Sequence, residues 1–404
     1  MMTHRLWTTA LGAVVGAALA CGESDGGGPP DLAPGFDRST LLASVADRVI
    51  VPTYTEFVDR ADDLRAATAA WAEAPDDAAR RAAAQRAWED AADVWQRAEL
   101  MQVGPAGAAG VTGRTGGLGL RQEIYSWPLD SACRVDQALI ENRFDESGYF
   151  EEQVDSVFGL DALEYVLFVP SDDNACDDED ALPIDAQGLW DDFVAADGEP
   201  IARRAAYAGA VAEKLKADAD RLAAEWTAGF RDRFVDAGQA GSPFGTAQQA
   251  LDELFAAMFY LELETVDEKL GAPAGLTGDC MTTCPEAAES PWADRGRVFI
   301  RENVEGFGRV FHGGAEDDPA VVGFDDYLSA AGANALARDL DQRLEEAHNA
   351  VEDVEPALRE ALASAETEIE PAFEAVSRLM VLVETEFVSV LALEIPREGA
   401  GDND

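Results

Sequence analysis

The residues Gly159–Phe168 read GLDALEYVLF, and they carry the chain's most suggestive chemistry. On a helix Asp161 and Glu164 are three apart, so they share a face with roughly 5–6 Å between their Cβ atoms. Leu160, Leu163, Val166, Leu167 and Phe168 are apolar enough to bury the segment. Two carboxylates on a nearly buried helix are costly unless protonated, hydrogen-bonded or bound to a cation. Two roles therefore compete. The pair could contribute to a cation site, or it could cap and brace the end of a neighbouring helix.

Few other residues offer catalytic chemistry. The chain has three histidines, and only His312 and His348 lie beyond the N-terminal segment. They are far apart in sequence, whereas a His-Glu-x-x-His zinc protease needs two one turn apart. No phosphate-cradling glycine loop or dinucleotide fingerprint is visible. The sequence leans away from an enzyme, with a hydrolase assembled from distant residues as the alternative. Cys133, Cys176, Cys280 and Cys284 form an even set, which in an exported chain suggests disulfides rather than nucleophiles. Cys280 and Cys284 are close enough to bridge a local loop, leaving Cys133 with Cys176; two other pairings stay open.

Export is expected from the N-terminus. Residues 1–20 carry His4 and Arg5 and then an apolar run ending in small residues, the pattern of a signal peptide. Ala18-Leu19-Ala20-Cys21 looks like a bacterial lipobox, so Cys21 is the expected lipidation site and membrane anchor. Residues 21–37 then form a flexible Gly/Pro linker, and residues 397–404 a disordered tail. Gly22 after the anchor suggests an outer-membrane destination, facing the periplasm or exterior. Removal of residues 1–20 takes away one basic residue, Arg5, and moves the formal charge from −49 to −50. Such a charge argues against nucleic acid as a partner. An apolar content of 47% still supplies a full core, which rules out a disordered acidic chain.

The elements that must position the pair are helical. Ser39 or Thr40 can cap a helix over residues 41–73, with a kink at Pro52. A second helix follows Pro75-Asp76-Asp77 to about Met101, with Trp88, Ala91, Ala92, Trp95 and Glu99 on one face. Glu99 either joins a site from that face or holds its head in solvent. Residues 104–119 are glycine-rich and should be irregular. Long helical periodicities recur over residues 200–236, 244–270, 294–311, 334–363 and 366–393, the fourth unbroken, and strand signals are almost absent. Residues 171–180 are an acidic loop without EF-hand spacing. The expectation is an all-α chain of two four-helix-bundle-like domains packed side by side, over residues 38–196 and 197–396.

Several stretches also resemble the imelysin family in the right order. GLDALEYVLF resembles its Gly-x-His-x-x-Glu signature, with Asp161 where the family has His. Trp88–Pro105 resembles its Trp-rich helix ending in a Gly-Pro turn, Ile124–Asp130 (IYSWPLD) its Trp-Pro-x-Asp segment, and Arg301–Phe311 its Asn-x-x-Gly helix. The resemblance implies two related helical bundles with the signature near their interface. It also implies a role in iron acquisition at the cell envelope, although the family carries a peptidase label. On that basis Glu99 and Asp130 could join Asp161 and Glu164 in one crevice, supported by Trp127, Gly159 and Tyr165. Four converging carboxylates would need a cation. Iron or another hard ion is the expected ligand, alone or within a metal-linked molecule, because an aspartate in place of the histidine favours hard ions. Envelope metal-transport proteins are the expected partners. A scaffold that binds another envelope protein without metal is the other alternative.

Overall fold

The computed structural model describes residues 36–108, 117–127, 132–170, 173–176, 186–196, 199–278, 280, 282–314, 320–355, 357–363 and 369–396. The signal peptide, Cys21, Asp130, the C-terminal tail and most of the acidic loop lie outside these residues. The helices include α1 (Arg38–Val45), α2 (Val51–Glu73), α3 (Ala78–Ala98), α4 (Gly159–Phe168), α5 (Pro200–Glu225), α6 (Ala247–Met258), α7 (Gly296–His312), α8 (Asn334–Glu352) and α9 (Ile369–Leu382). No β-strand occurs among the described residues, and none of their helices is long and apolar enough to cross a membrane.

Local chemistry explains the helix ends. Asp37 accepts from the Ser39 amide to start α1, two residues before Ser39 and three before Thr40, the caps expected from sequence. Asp77 likewise caps α3 through the amides of Ala79 and Arg80. The bend expected at Pro52 is a π-helical turn over Ala46–Ile50, which leads into α2 with Pro52 at its start. The periodicity over residues 334–363 is interrupted. α8 stops at Glu352, and a separate short helix spans Leu358–Ala363. Pro356 stands between them and cannot continue the backbone ladder.

Helices α2, α3, α4 and α5 pack into one bundle. The second is built from α7, α8, α9 and the π-helical stretch Leu261–Gly271. The fourth helix of the first bundle, α5, therefore comes from beyond residue 196. The bundles share one continuous apolar core, with α3 against α7 at their seam. That seam needs Gly306, where a Cβ would stand 2.5 Å from the Arg97 carbonyl oxygen. Both expected disulfides are present, Cys133–Cys176 and Cys280–Cys284.

Candidate functional site

The signature helix α4 begins at a glycine for two physical reasons. Gly159 has φ +92°, and a Cβ there would lie 2.9 Å from both Asp161 Oδ1 and the Ile124 carbonyl oxygen. The backbone of Ile124–Trp127 can therefore run close beside the start of α4.

Both signature carboxylates are buried, each 3% exposed, but they do different work. Glu164 Oε1 accepts from Ser290 Oγ at 2.9 Å and from the Trp292 and Ala293 amides at 3.0 and 2.8 Å. It thus braces the loop that enters α7, as one of the two sequence expectations had it. Asp161 Oδ2 accepts from Ser126 Oγ at 2.7 Å, while its Oδ1 has no hydrogen-bond partner. Burial pushes the Asp161 carboxyl up to about 7, against the Ser126 hydroxyl and the first-turn amides, which favour the charged form. Burial also pushes Glu164 up to about 7, opposed by its three donors.

Glu99 lies wholly inside, not at a solvent edge. Trp95 Nε1 donates to its Oε1 at 2.8 Å, and Arg121 Nε is 3.4 Å from the same oxygen. Glu99 Oε2 has no hydrogen-bond partner.

Next to Glu99 is a buried ionic cluster that sequence inspection missed. Lys269 Nζ is 3.1 Å from Glu289 Oε1, and both residues are inaccessible or nearly so. Lys269 also donates to Gln96 Oε1 at 2.7 Å and to Asn303 Oδ1 at 3.0 Å. Tyr125 OH donates to Glu289 Oε1 at 2.7 Å. Burial raises the Glu289 carboxyl, and Lys269 lowers it. One signal was available: Lys269 is one of only three lysines in the chain.

The segment Tyr125–Trp127 ties these groups together. Tyr125 reaches Glu289, Ser126 reaches Asp161, and the Lys269 ammonium lies 5.8 Å from the Trp127 ring centre. Glu164, Glu99 and Glu289 all act electrostatically on Tyr125. Tyr165 turns elsewhere. Its hydroxyl donates to Asp136 at 2.6 Å, and the Arg204 guanidinium stacks 5.0 Å from its ring centre.

The described donors do not assemble a closed cation site. No group of three or more His, Cys, Asp or Glu among them is placed to hold a metal ion. Glu164 commits one oxygen to three protein donors, and Glu99 and Glu289 already have Arg121 and Lys269 beside them. Asp161 Oδ1 is the signature oxygen left without a partner.

The comparisons with known proteins agree with this architecture. An imelysin-like protein from Psychrobacter arcticum 273-4 superposes with a TM-score of 0.65 at 16% identity, covering 91% of this chain and 100% of that one. A "putative iron-regulated protein A precursor" from Parabacteroides distasonis ATCC 8503 gives 0.64 at 17% identity, covering 90% and 98%. At such identities the likeness shows the fold alone. No curated protein matches the sequence. The model of the imelysin family, peptidase M75, matches residues 50–380, most of the sequence, and the chain belongs to that family.

Proposed function

We propose that this chain is a non-catalytic binding protein of iron acquisition at the cell envelope, anchored through Cys21. Its ligand is an iron-linked molecule rather than the bare ion. Family membership and the name of the iron-regulated structural neighbour support the iron connection. One structural observation carries the choice of ligand. Asp161 Oδ1, Glu99 Oε2 and Glu289 Oε2 are buried oxygens without a hydrogen-bond partner, and Arg121 Nη2 is a buried donor without a hydrogen-bond acceptor. Each such group costs about 1–3 kcal/mol until something pairs it. A bare cation satisfies only the oxygens and is repelled by Lys269 and Arg121. A chelate that brings cationic or protic groups together with anionic oxygens satisfies both kinds.

The test is calorimetric titration of chelator-treated protein at fixed ionic strength with ferric citrate, and separately with Fe²⁺, Zn²⁺, Ca²⁺ and Mg²⁺. Ferric citrate should bind, and Asp161→Asn should weaken it about tenfold or more. Asp161→His restores the family pattern and should admit the imidazole-seeking ions Fe²⁺ and Zn²⁺. Absence of ferric citrate binding, or equal binding by all three proteins, would overturn the proposal.

A further inference from the structure

The acidic members of the ionic cluster are shut away from solvent: Glu99 is 0% exposed and Glu289 1%. A ligand reaches their unpaired oxygens only if part of the surrounding wall moves. One piece of that wall is not helical. Residues 289–295 form an irregular strap that leads into α7. Glu289 and Ser290 at its start are buried, whereas residues 291–295 are part-exposed. The strap therefore stands between the cluster and water.

Both ends of the strap are fixed. Upstream, the Cys280–Cys284 bridge closes a short loop, and the Cys284 amide donates to the Pro273 carbonyl at 2.7 Å. Downstream, Arg295 pairs with Asp93 of α3. Gly296 comes next, where a Cβ would stand 2.9 Å from the Glu289 carbonyl oxygen, so the strap doubles back on itself. Between these posts the inner side is held chiefly by Glu164 Oε1, which accepts from Ser290 Oγ and from the Trp292 and Ala293 amides. The Asp294 amide donates to the Ser290 carbonyl at 2.9 Å, and the Arg295 amide to Ser290 Oγ at 3.3 Å. The amides of four consecutive residues, 292–295, thus depend on Glu164 and Ser290. Ser290 at φ +56° and Asp294 at φ +52° are both in the left-handed region. That conformation costs an L-residue free energy and persists only while its surroundings enforce it. On the outer side Arg359 bonds Asp294 Oδ1 and the Pro291 carbonyl, and both bonds are exposed.

We propose that residues 289–295 are the gate of the buried cluster and that Glu164 is its latch. Opening carries Glu289 outwards, lets water solvate Lys269 and bares the unpaired oxygens. Closure returns Glu289 to the wall around the ligand. What enters rests on the function proposed above, whereas the gate is a property of the unliganded chain.

The experiment is amide hydrogen exchange, read by mass spectrometry of peptides from the purified full-length protein. Without ligand, residues 292–295 should be protected about a hundredfold less than α3 and α7, as a locally opening segment requires. Glu164→Gln keeps the shape but weakens the acceptor, so it should speed exchange of the strap about tenfold and leave α2 and α5 unchanged. Should that variant fail to fold by circular dichroism, Ser290→Ala removes one donor of the latch and should act in the same direction. Ferric citrate should slow exchange of the wild-type strap about tenfold when it saturates the protein. A strap as protected as α3 and α7, a variant that speeds exchange equally in every helix, or ferric citrate that binds without slowing the strap would overturn the gate. Local opening of the strap without ferric citrate binding would uphold the gate and overturn the ligand instead.

Discussion

Asp161→Asn isolates a signature carboxylate whose Oδ1 is buried without a hydrogen-bond partner. The folded protein holds this carboxyl at about 7, against 3.8 in the unfolded chain. The fold thus binds the proton more tightly than the unfolded chain does. The resulting stability is present in full below pH 3.8 and is lost as pH rises to 7, after which the slope vanishes. Between pH 5 and pH 8 the loss from this group amounts to roughly 2.5 kcal/mol, at 1.36 kcal/mol per unit of pKa difference. Asparagine has nearly the same shape, accepts from Ser126 in the same way and does not titrate. The variant should therefore gain on wild type by about that amount across the window, and the two stabilities should converge towards acid. The assay is urea denaturation at pH 5, 6, 7 and 8 with chelator present and constant ionic strength, which holds general screening of the acidic chain fixed. Glu164 titrates in both proteins and cancels in the difference. A difference that stays constant to within about 0.5 kcal/mol would refute the account of Asp161 as a desolvated, half-paired acid.

Further outcomes are expected. Gly159→Ala should lower stability by roughly 2 kcal/mol or more in urea denaturation, because positive φ and two 2.9 Å contacts both oppose a side chain. Lys269→Met should destabilise by about 3–5 kcal/mol by leaving Glu289 buried without its cation, and pairing it with Glu289→Gln should recover much of the loss. Opening Cys133–Cys176, 43 residues apart, should cost roughly 4 kcal/mol by loop-closure entropy. Opening Cys280–Cys284, only 4 apart, should cost about 2 kcal/mol, so equal losses would contradict that explanation. Cys21→Ser should release the protein from the membrane fraction of its host cell, and continued membrane association would exclude the anchor.

The helical class, most helix starts and the Cys280–Cys284 bridge were legible from sequence, because each depends on neighbours close along the chain. Apolar residues at 3.6 spacing mark a buried face wherever the helix is placed, and Asp77 caps α3 using amides two and three residues away. Cys280 and Cys284 are local enough to pair, and that leaves one partner each for Cys133 and Cys176. The burial of α4 was equally legible from its apolar content. The work of its two acids was not. Glu164 finds its donors 126 to 129 residues away, in the loop before α7. Glu99 is enclosed beside Arg121, and Lys269 meets Glu289, which stands in the loop before α7. A buried charge takes its meaning from whichever opposite charge or donor the tertiary fold brings to it, and nothing in the local pattern encodes that partner. The same reason placed α5 in the first bundle, since periodicity marks which face of a helix is buried but not the helix against which it packs.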